Sequence, residues 1–235
     1  MTLACEAAGP GFWVEPASAW SSLAFVVAGA WIIGTARRPA APRAGATSRE
    51  DPSAAGLRTA LGVLTVLVGV GSVVQHGPAP SWNPVVHDPP LLGAYALIGA
   101  DAVADLTGRR VRTWWWLGPT LADVVLAAVS PAASVVAEVT VGVVAVGAAV
   151  LRAIARPAVR PRMVTALGVL AAGSVIGTMS RPGWPWCDPD GWLGGWLSGH
   201  AVWHVLASAA LAIVAPAVGR RAGPPPTASN RDERL

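Results

Sequence analysis

Seven long apolar stretches constrain the fold of this chain more than any other feature. They lie near residues 17–35, 57–76, 90–107, 113–130, 132–151, 163–180 and 197–218. Crossing the hydrocarbon core of a membrane takes about 20 apolar residues of helix, and each stretch is close to that length. The chain is 53% hydrophobic and only 13% charged, which is too apolar for an ordinary soluble domain. The sequence therefore predicts an all-α bundle of seven transmembrane helices.

The arginines predict the orientation of this bundle. All 17 basic residues are arginine. Sixteen of them follow the first, third, fifth and seventh stretches, and only Arg181 lies in another connection. The positive-inside rule assigns the arginine-rich connections to the cytoplasm, so the N-terminus is predicted outside and the C-terminus inside. The net charge of +4 then reflects topology and contact with anionic lipid, and we predict no nucleic-acid partner.

Three regions follow from this arrangement. Residues 1–16 form an extracytoplasmic segment, residues 17–218 the membrane domain, and residues 219–235 a proline-rich tail predicted to be disordered. The connection 36–56 is predicted to be a mobile cytoplasmic loop. A composition rich in alanine, glycine and arginine, without lysine, indicates a GC-rich bacterial genome, and thus a multi-pass protein of the bacterial plasma membrane.

Three of the four histidines are spaced for a metal site. His200 and His204 are four residues apart at the start of the seventh stretch, so a helix presents both on one face. His76 ends the second stretch, with Ser72 one turn before it. In the seven-helix arrangement these ends lie on the same side of the membrane. Three imidazoles with an open fourth position are typical of catalytic zinc.

Two polar residues near the histidines have the chemistry to assist such a metal. Asp88 precedes the third stretch and is a candidate general base that takes a proton from water. Ser72 is a candidate hydrogen-bond donor to a developing oxyanion. Asp88 has an alternative interpretation as the N-cap of the third helix, since a proline pair follows it.

Other interpretations of the polar residues stay open. Two histidines are also a haem ligand set, although haem ligands commonly bridge two helices rather than occupy one face. Asp123 and Glu138 are ionisable at membrane depth and are functional candidates by default, but no sequence partner assigns either to the site. Asp105 and Arg109 are four residues apart and are expected to form an ion pair.

The pattern Ser72-x3-His76, then Asp88, then His200-x2-Trp203-His204 resembles the alkaline ceramidase family. That family belongs to a superfamily of seven-span metal hydrolases with the progestin and adipoQ receptors and the Per1 proteins. The resemblance implies that the three histidines hold zinc and that Ser72 and Asp88 are catalytic. The implied reaction is hydrolysis of the amide of a ceramide-like N-acyl lipid to a fatty acid and a long-chain base. His87, beside Asp88, is an alternative proton shuttle.

The same resemblance extends to the N-terminal segment. Alkaline ceramidases carry an acidic calcium site there that begins with Trp-Cys-Glu, and Glu6 and Glu15 occupy similar positions, although Ala4 stands in place of the tryptophan. The resemblance thus implies Ca²⁺ as a second metal. Cys5 and Cys187 both lie outside in the predicted topology, where disulfides persist, and the family links a similarly placed pair. We therefore expect a Cys5–Cys187 disulfide.

Three functions are compatible with these residues. The leading expectation is a zinc-dependent amidohydrolase of ceramide-like lipids, with membrane lipid as substrate and no protein partner. The second is a seven-span receptor or signalling protein that keeps zinc for structure. The third is a lipid esterase of the same superfamily, because the metal performs nearly the same task on an ester as on an amide.

Overall fold

The computed structural model describes residues 5–7, 9, 11–38, 48–188 and 197–222, and helices dominate them. The helices are α1 (Pro16–Ser21), α2 (Leu23–Thr35), α3 (Ala54–His76), α4 (Asn83–Thr107), α5 (Trp114–Val129), α6 (Pro131–Ala155), α7 (Arg160–Met179) and α8 (Gly199–Val214), and a 3₁₀ turn, Ala215–Ala217, follows α8. Two strands, β1 (Ser48–Glu50) and β2 (Arg220–Ala222), form an antiparallel ribbon.

Within the described residues, five helical segments are long and apolar enough to cross a membrane. They are Pro16–Thr35, which comprises α1 and α2, then Ala54–His76, Pro131–Ala155, Arg160–Met179 and Gly199–Ala217. Helix α5 is apolar but has only 16 residues, and α4 is longer but more polar. The helical class and the presence of membrane helices are confirmed, whereas the count of seven spans and their orientation stay predictions.

Helix α4 begins seven residues earlier than the sequence predicts, at Asn83 rather than residue 90. It continues through Pro89 and Pro90, although proline lacks the N–H group that a helix interior uses. The carbonyl of Val86, which would accept from the missing N–H of Pro90, packs against Gly71 of α3. Asp88 is therefore inside the helix, and its alternative interpretation as an N-cap is wrong.

Small residues on α7 allow α8, which carries two of the histidines, to pack closely against it. Trp203, between the two histidines of α8, lies over Gly173 and Gly177 of α7. A Cβ added at Gly177 would be 2.9 Å from the Cβ of Trp203. Glycines four residues apart create this kind of groove for a neighbouring helix. They fix α8 against α7 at the level of the histidines.

A buried arginine network closes the opposite end of the bundle. Arg152 of α6 is 1% exposed and bonds Asp101 at 2.7 Å and Asp105 at 2.9 Å, both on α4. Asp105 also pairs with Arg156, and the expected Asp105–Arg109 pair is not among the ion pairs of the described residues. These partners come from the neighbouring helix, whereas the expectation used spacing within one helix.

The ribbon orders two segments that the sequence assigns to flexible regions. Residues 48–50 belong to the predicted mobile loop and residues 220–222 to the predicted disordered tail, yet they pair with each other. Arg58 of α3 supports the ribbon, because its Nε donates to the carbonyl of Val218 and its Nη1 contacts Glu50. The rest of the tail, residues 223–235, lies outside the described residues.

Candidate metal centre

The ends of α3 and α8 bring His76, His200 and His204 into one cluster. The ring centroids are 4.9 Å apart for His76 and His200, 5.1 Å for His76 and His204, and 4.6 Å for His200 and His204. One nitrogen from each ring lies within 4.8 Å of the others. Three imidazole nitrogens this close are able to share one metal ion. This is the convergence that the spacing of the histidines predicts.

Local sequence explains why these rings meet. Helix α3 ends at His76 because Gly77 and Pro78 follow it. Helix α8 begins at Gly199 because the Ser198 side chain accepts a hydrogen bond from the N–H of Ala201, as a helix N-cap does. His200 therefore occupies the first turn of α8 and His204 the second.

Glu15 fixes the ring of His76. Its carboxylate oxygen lies 2.5 Å from Nδ1 of His76, and the two side chains are 3% and 1% exposed. The N–H of Glu15 also donates to the carbonyl of His76. With Nδ1–H directed at a carboxylate, Nε2 keeps its lone pair. Nε2 is buried and has no hydrogen-bond partner among the described residues, which fits a metal ligand oriented by an outer carboxylate.

His204 is oriented in the same way by the backbone of α1. Its Nδ1 lies 3.0 Å from the carbonyl oxygen of Ser18. A carbonyl oxygen only accepts hydrogen bonds, so Nδ1 carries the proton and Nε2 of the neutral ring carries the lone pair. The hydroxyls of Ser21 and Ser22 lie 3.0 Å and 3.3 Å from the same nitrogen. Two of the three histidines thus present Nε2 to the cluster.

Ser72 lies beside the cluster, as predicted. It is 1% exposed, and its hydroxyl lies 3.5 Å from Nε2 of His204. Ser22 donates a hydrogen bond to the Ser72 oxygen at 2.8 Å. The hydroxyl of Ser22 also lies 2.7 Å from the carbonyl oxygen of Ser18, so its single hydrogen has two competing acceptors.

Asp88 approaches the same region from α4. A Cβ added at Gly71 would be 2.8 Å from the Cα of His87, so the turn that carries Asp88 packs against the α3 turn that carries Ser72. Asp88 is 7% exposed, and its carboxylate receives bonds on both oxygens, from His87 at 2.7 Å and from Ser134 at 3.4 Å.

The two N-terminal carboxylates have identified partners in the protein. Glu6 accepts hydrogen bonds from the N–H groups of Ala17 and Ser18 and so caps α1, while Glu15 bonds His76. Calcium binding by Glu6 and Glu15 stays a prediction of the family resemblance. The Cys5–Cys187 disulfide is confirmed, and it ties the segment that carries both glutamates to the loop before α8.

Some residues of the site were not predicted from the sequence. Ser18, Ser21 and Ser22 surround His204, and their spacing of three and four residues places them on one face of an otherwise apolar helix. That polar face was a readable signal. Ser134 had no such signal, because only the contact of α6 with α4 and α5 brings it to Asp88.

No family model matches the chain, and no curated protein matches it significantly.

Proposed function

We propose that the protein is a zinc-dependent membrane hydrolase that cleaves the amide bond of ceramide-like N-acyl lipids. One observation carries the proposal: Nδ1 of His76 and of His204 is bonded to a fixed acceptor, and both Nε2 atoms lie in one buried cluster with His200. An imidazole nitrogen is costly to bury when its lone pair has neither a hydrogen-bond donor nor a metal ion as partner. Three histidines with an open position are the donor set of catalytic zinc, whereas structural zinc sites use four protein ligands.

The residues of the protein supply the remaining chemistry. Zinc in such a site activates water and polarises a carbonyl group. Asp88 accepts a proton from the attacking water and returns it to the leaving amine. Ser72 donates a hydrogen bond to the carbonyl oxygen as negative charge develops there. Water that attacks the carbonyl carbon breaks the C–N bond, and the products are a fatty acid and an amine.

The location of the site favours a lipid substrate. Helices α3 and α8, which hold the histidines, are both apolar enough to span a membrane. Each methylene of an acyl chain buried among apolar side chains contributes about 0.8 kcal/mol, so a long chain binds without polar contacts. The resemblance of the histidine, serine and aspartate pattern to alkaline ceramidases selects an amide of a sphingoid base among such lipids.

The proposal includes the topology that the arginines predict. Arg58 lies in the second turn of α3 and His76 at its last residue, so the two groups lie at opposite ends of one membrane-capable helix. With seven spans in a bacterial plasma membrane, the arginines face the cytoplasm and the histidines the outer side.

The test measures metal content and lipid hydrolysis on the same detergent-purified samples. We expect about one zinc per chain in the wild type and a loss of zinc and hydrolysis in His200→Ala and His204→Ala. His87→Ala is the matched control for metal content, because this fourth histidine is outside the cluster. Asp88→Asn should retain zinc and lose hydrolysis by about 10²–10⁴-fold.

Each alternative has its own result. Release of fatty acid from O-acyl but not N-acyl lipids would identify an esterase. Bound zinc without hydrolysis of any N-acyl or O-acyl lipid would favour the receptor interpretation. Wild-type protein that binds no metal after incubation with zinc would refute the proposal.

A further inference from the structure

A second buried polar cluster lies where α4, α5 and α6 meet. Ser134 of α6 is fully buried, and its hydroxyl lies 2.9 Å from Oδ1 of Asp123 on α5 and 3.4 Å from Oδ2 of Asp88 on α4. Asp123 is 1% exposed. Ser134 therefore bridges two carboxyl groups, one of which belongs to the site described above.

The number of protons in this cluster determines the direction of its hydrogen bonds. Ser134 has one hydroxyl hydrogen and cannot donate it to both carboxyl groups. The second oxygen of Asp123, Oδ2, is buried and has no hydrogen-bond partner in the part of the chain that the structure describes. No arginine forms an ion pair with Asp123 among the described residues, and an unpaired buried charge is strongly disfavoured.

Other charged groups near Asp123 add to the cost of ionising it. Glu138 lies one turn beyond Ser134 on α6 and interacts electrostatically with His87, Asp88, Asp123 and Arg181. Repulsion between buried carboxyl groups favours protonation of at least one of them. A protonated Asp123 supplies the missing hydrogen. Its carboxylic-acid hydroxyl donates to the oxygen of Ser134, and the hydroxyl of Ser134 is then free to donate to Asp88.

We propose that Asp123 and Ser134 are positioning residues, and that a protonated Asp123 orients Ser134 as a hydrogen-bond donor to the carboxylate of Asp88. His87 bonds the other carboxylate oxygen at 2.7 Å, so Asp88 is held on both sides. The catalytic consequence rests on the proposed function, in which Asp88 is the general base. The direction of the hydrogen bonds from Asp123 through Ser134 to Asp88 does not depend on that function.

The first test determines, without substrate, whether Asp123 is protonated and bonded to Ser134. Infrared spectra of wild-type protein and of Asp123→Asn are subtracted from each other in the carboxylic-acid region, well separated from the carboxylate bands. We expect a carboxylic-acid band in the wild type that is missing from Asp123→Asn and shifted in Ser134→Ala. The absence of such a band would overturn the proposal, whether or not the protein hydrolyses a lipid.

The second test uses turnover of the N-acyl lipid that the wild type cleaves. Asp123→Asn keeps a neutral donor to Ser134, so we expect near wild-type kcat. Asp123→Leu and Ser134→Ala remove the donor and should lower kcat about 10- to 100-fold, a part of what general-base catalysis supplies, with KM and zinc content unchanged. Zinc content also reports that each variant is folded. If Asp123→Asn is as slow as Asp123→Leu, Asp123 acts as a charged group and the proposal is wrong.

Discussion

Single atoms determine what the histidine cluster is able to bind. His76 and His204 have two ring nitrogens each, and only the partners of Nδ1 leave Nε2 for a metal. Glu15 and the carbonyl of Ser18 are those partners, and both come from the first helix or the residue before it. The metal affinity of the cluster should therefore depend on residues that do not contact the metal.

Replacing Glu15 tests this dependence. Glu15→Gln keeps an oxygen near Nδ1 of His76 but removes the charge that makes the ring a stronger ligand. We expect zinc affinity to fall by about 10- to 100-fold, as is typical when the outer partner of a metal ligand is changed. The measurement is a competition titration with a zinc chelator in detergent.

Glu50→Gln is the matched control for this titration, because Glu50 pairs with Arg58 at the far end of α3. It should leave zinc affinity unchanged. If Glu15→Gln binds zinc as tightly as wild type but has lost calcium binding, Glu15 acts as the calcium ligand that the family resemblance implies.

At the scale of helices, close approach at glycines brings the parts of the site together. Gly71 lets α4 touch α3 at Val86 and His87. Neither helix contains both Ser72 and Asp88, so the distance between the helices determines how far apart these two side chains lie.

A methyl group at Gly71 should separate these helices. In Gly71→Ala the new Cβ would be 2.8 Å from the Cα of His87, which requires a backbone shift because backbone atoms cannot rotate away. We expect a loss of about 1–3 kcal/mol of stability and a larger relative loss of hydrolysis. Thermal unfolding in detergent and the lipid assay measure the two effects.

Gly56→Ala on the same helix is the control, since nothing lies within 4 Å of its added Cβ. It should be neutral or stabilising, because alanine favours helix over glycine by about 1 kcal/mol. Equal losses in the two variants would mean that helix α3 tolerates no alanine, and would contradict the role of the Gly71 contact.

The features that the sequence predicts are those set by local spacing. The His200–His204 pair and the end of α3 at His76 depend on helical periodicity and a following Gly-Pro, and both are found in the structure. The partners of Asp105, the start of α4 and the bridge through Ser134 depend on contacts between separate helices. Spacing along the chain carries no information about such contacts, so these features were mispredicted or missed.

Across the whole molecule, the Cys5–Cys187 disulfide connects the segment before α1 to the connection between α7 and α8. Its two cysteines are 182 positions apart in the sequence. In the unfolded chain, crosslinking so large a loop removes many conformations. In the folded chain it anchors the segment that carries Glu15 against the loop before α8.

Removal of this disulfide should affect both stability and metal binding. For the double variant Cys5→Ser with Cys187→Ser we expect a loss of about 2–5 kcal/mol and weaker zinc retention, because Glu15 is less firmly held. Thermal unfolding and chelator competition are the measurements. Reductant should reproduce the effect in wild type and add nothing in the variant, and a reductant effect of equal size in the variant would point to another cause.

The distribution of the site along the chain has a consequence for biosynthesis. Glu15 and the three serines of the first span are translated first, His76 follows, and His200 and His204 come nearly last. On the ribosome, the early helices hold one imidazole and its partners but no second ligand. In the proposed zinc enzyme, the ion would be captured only after the final helix enters the bundle, so metal loading would follow insertion of that helix and a prematurely terminated chain would lack the metal.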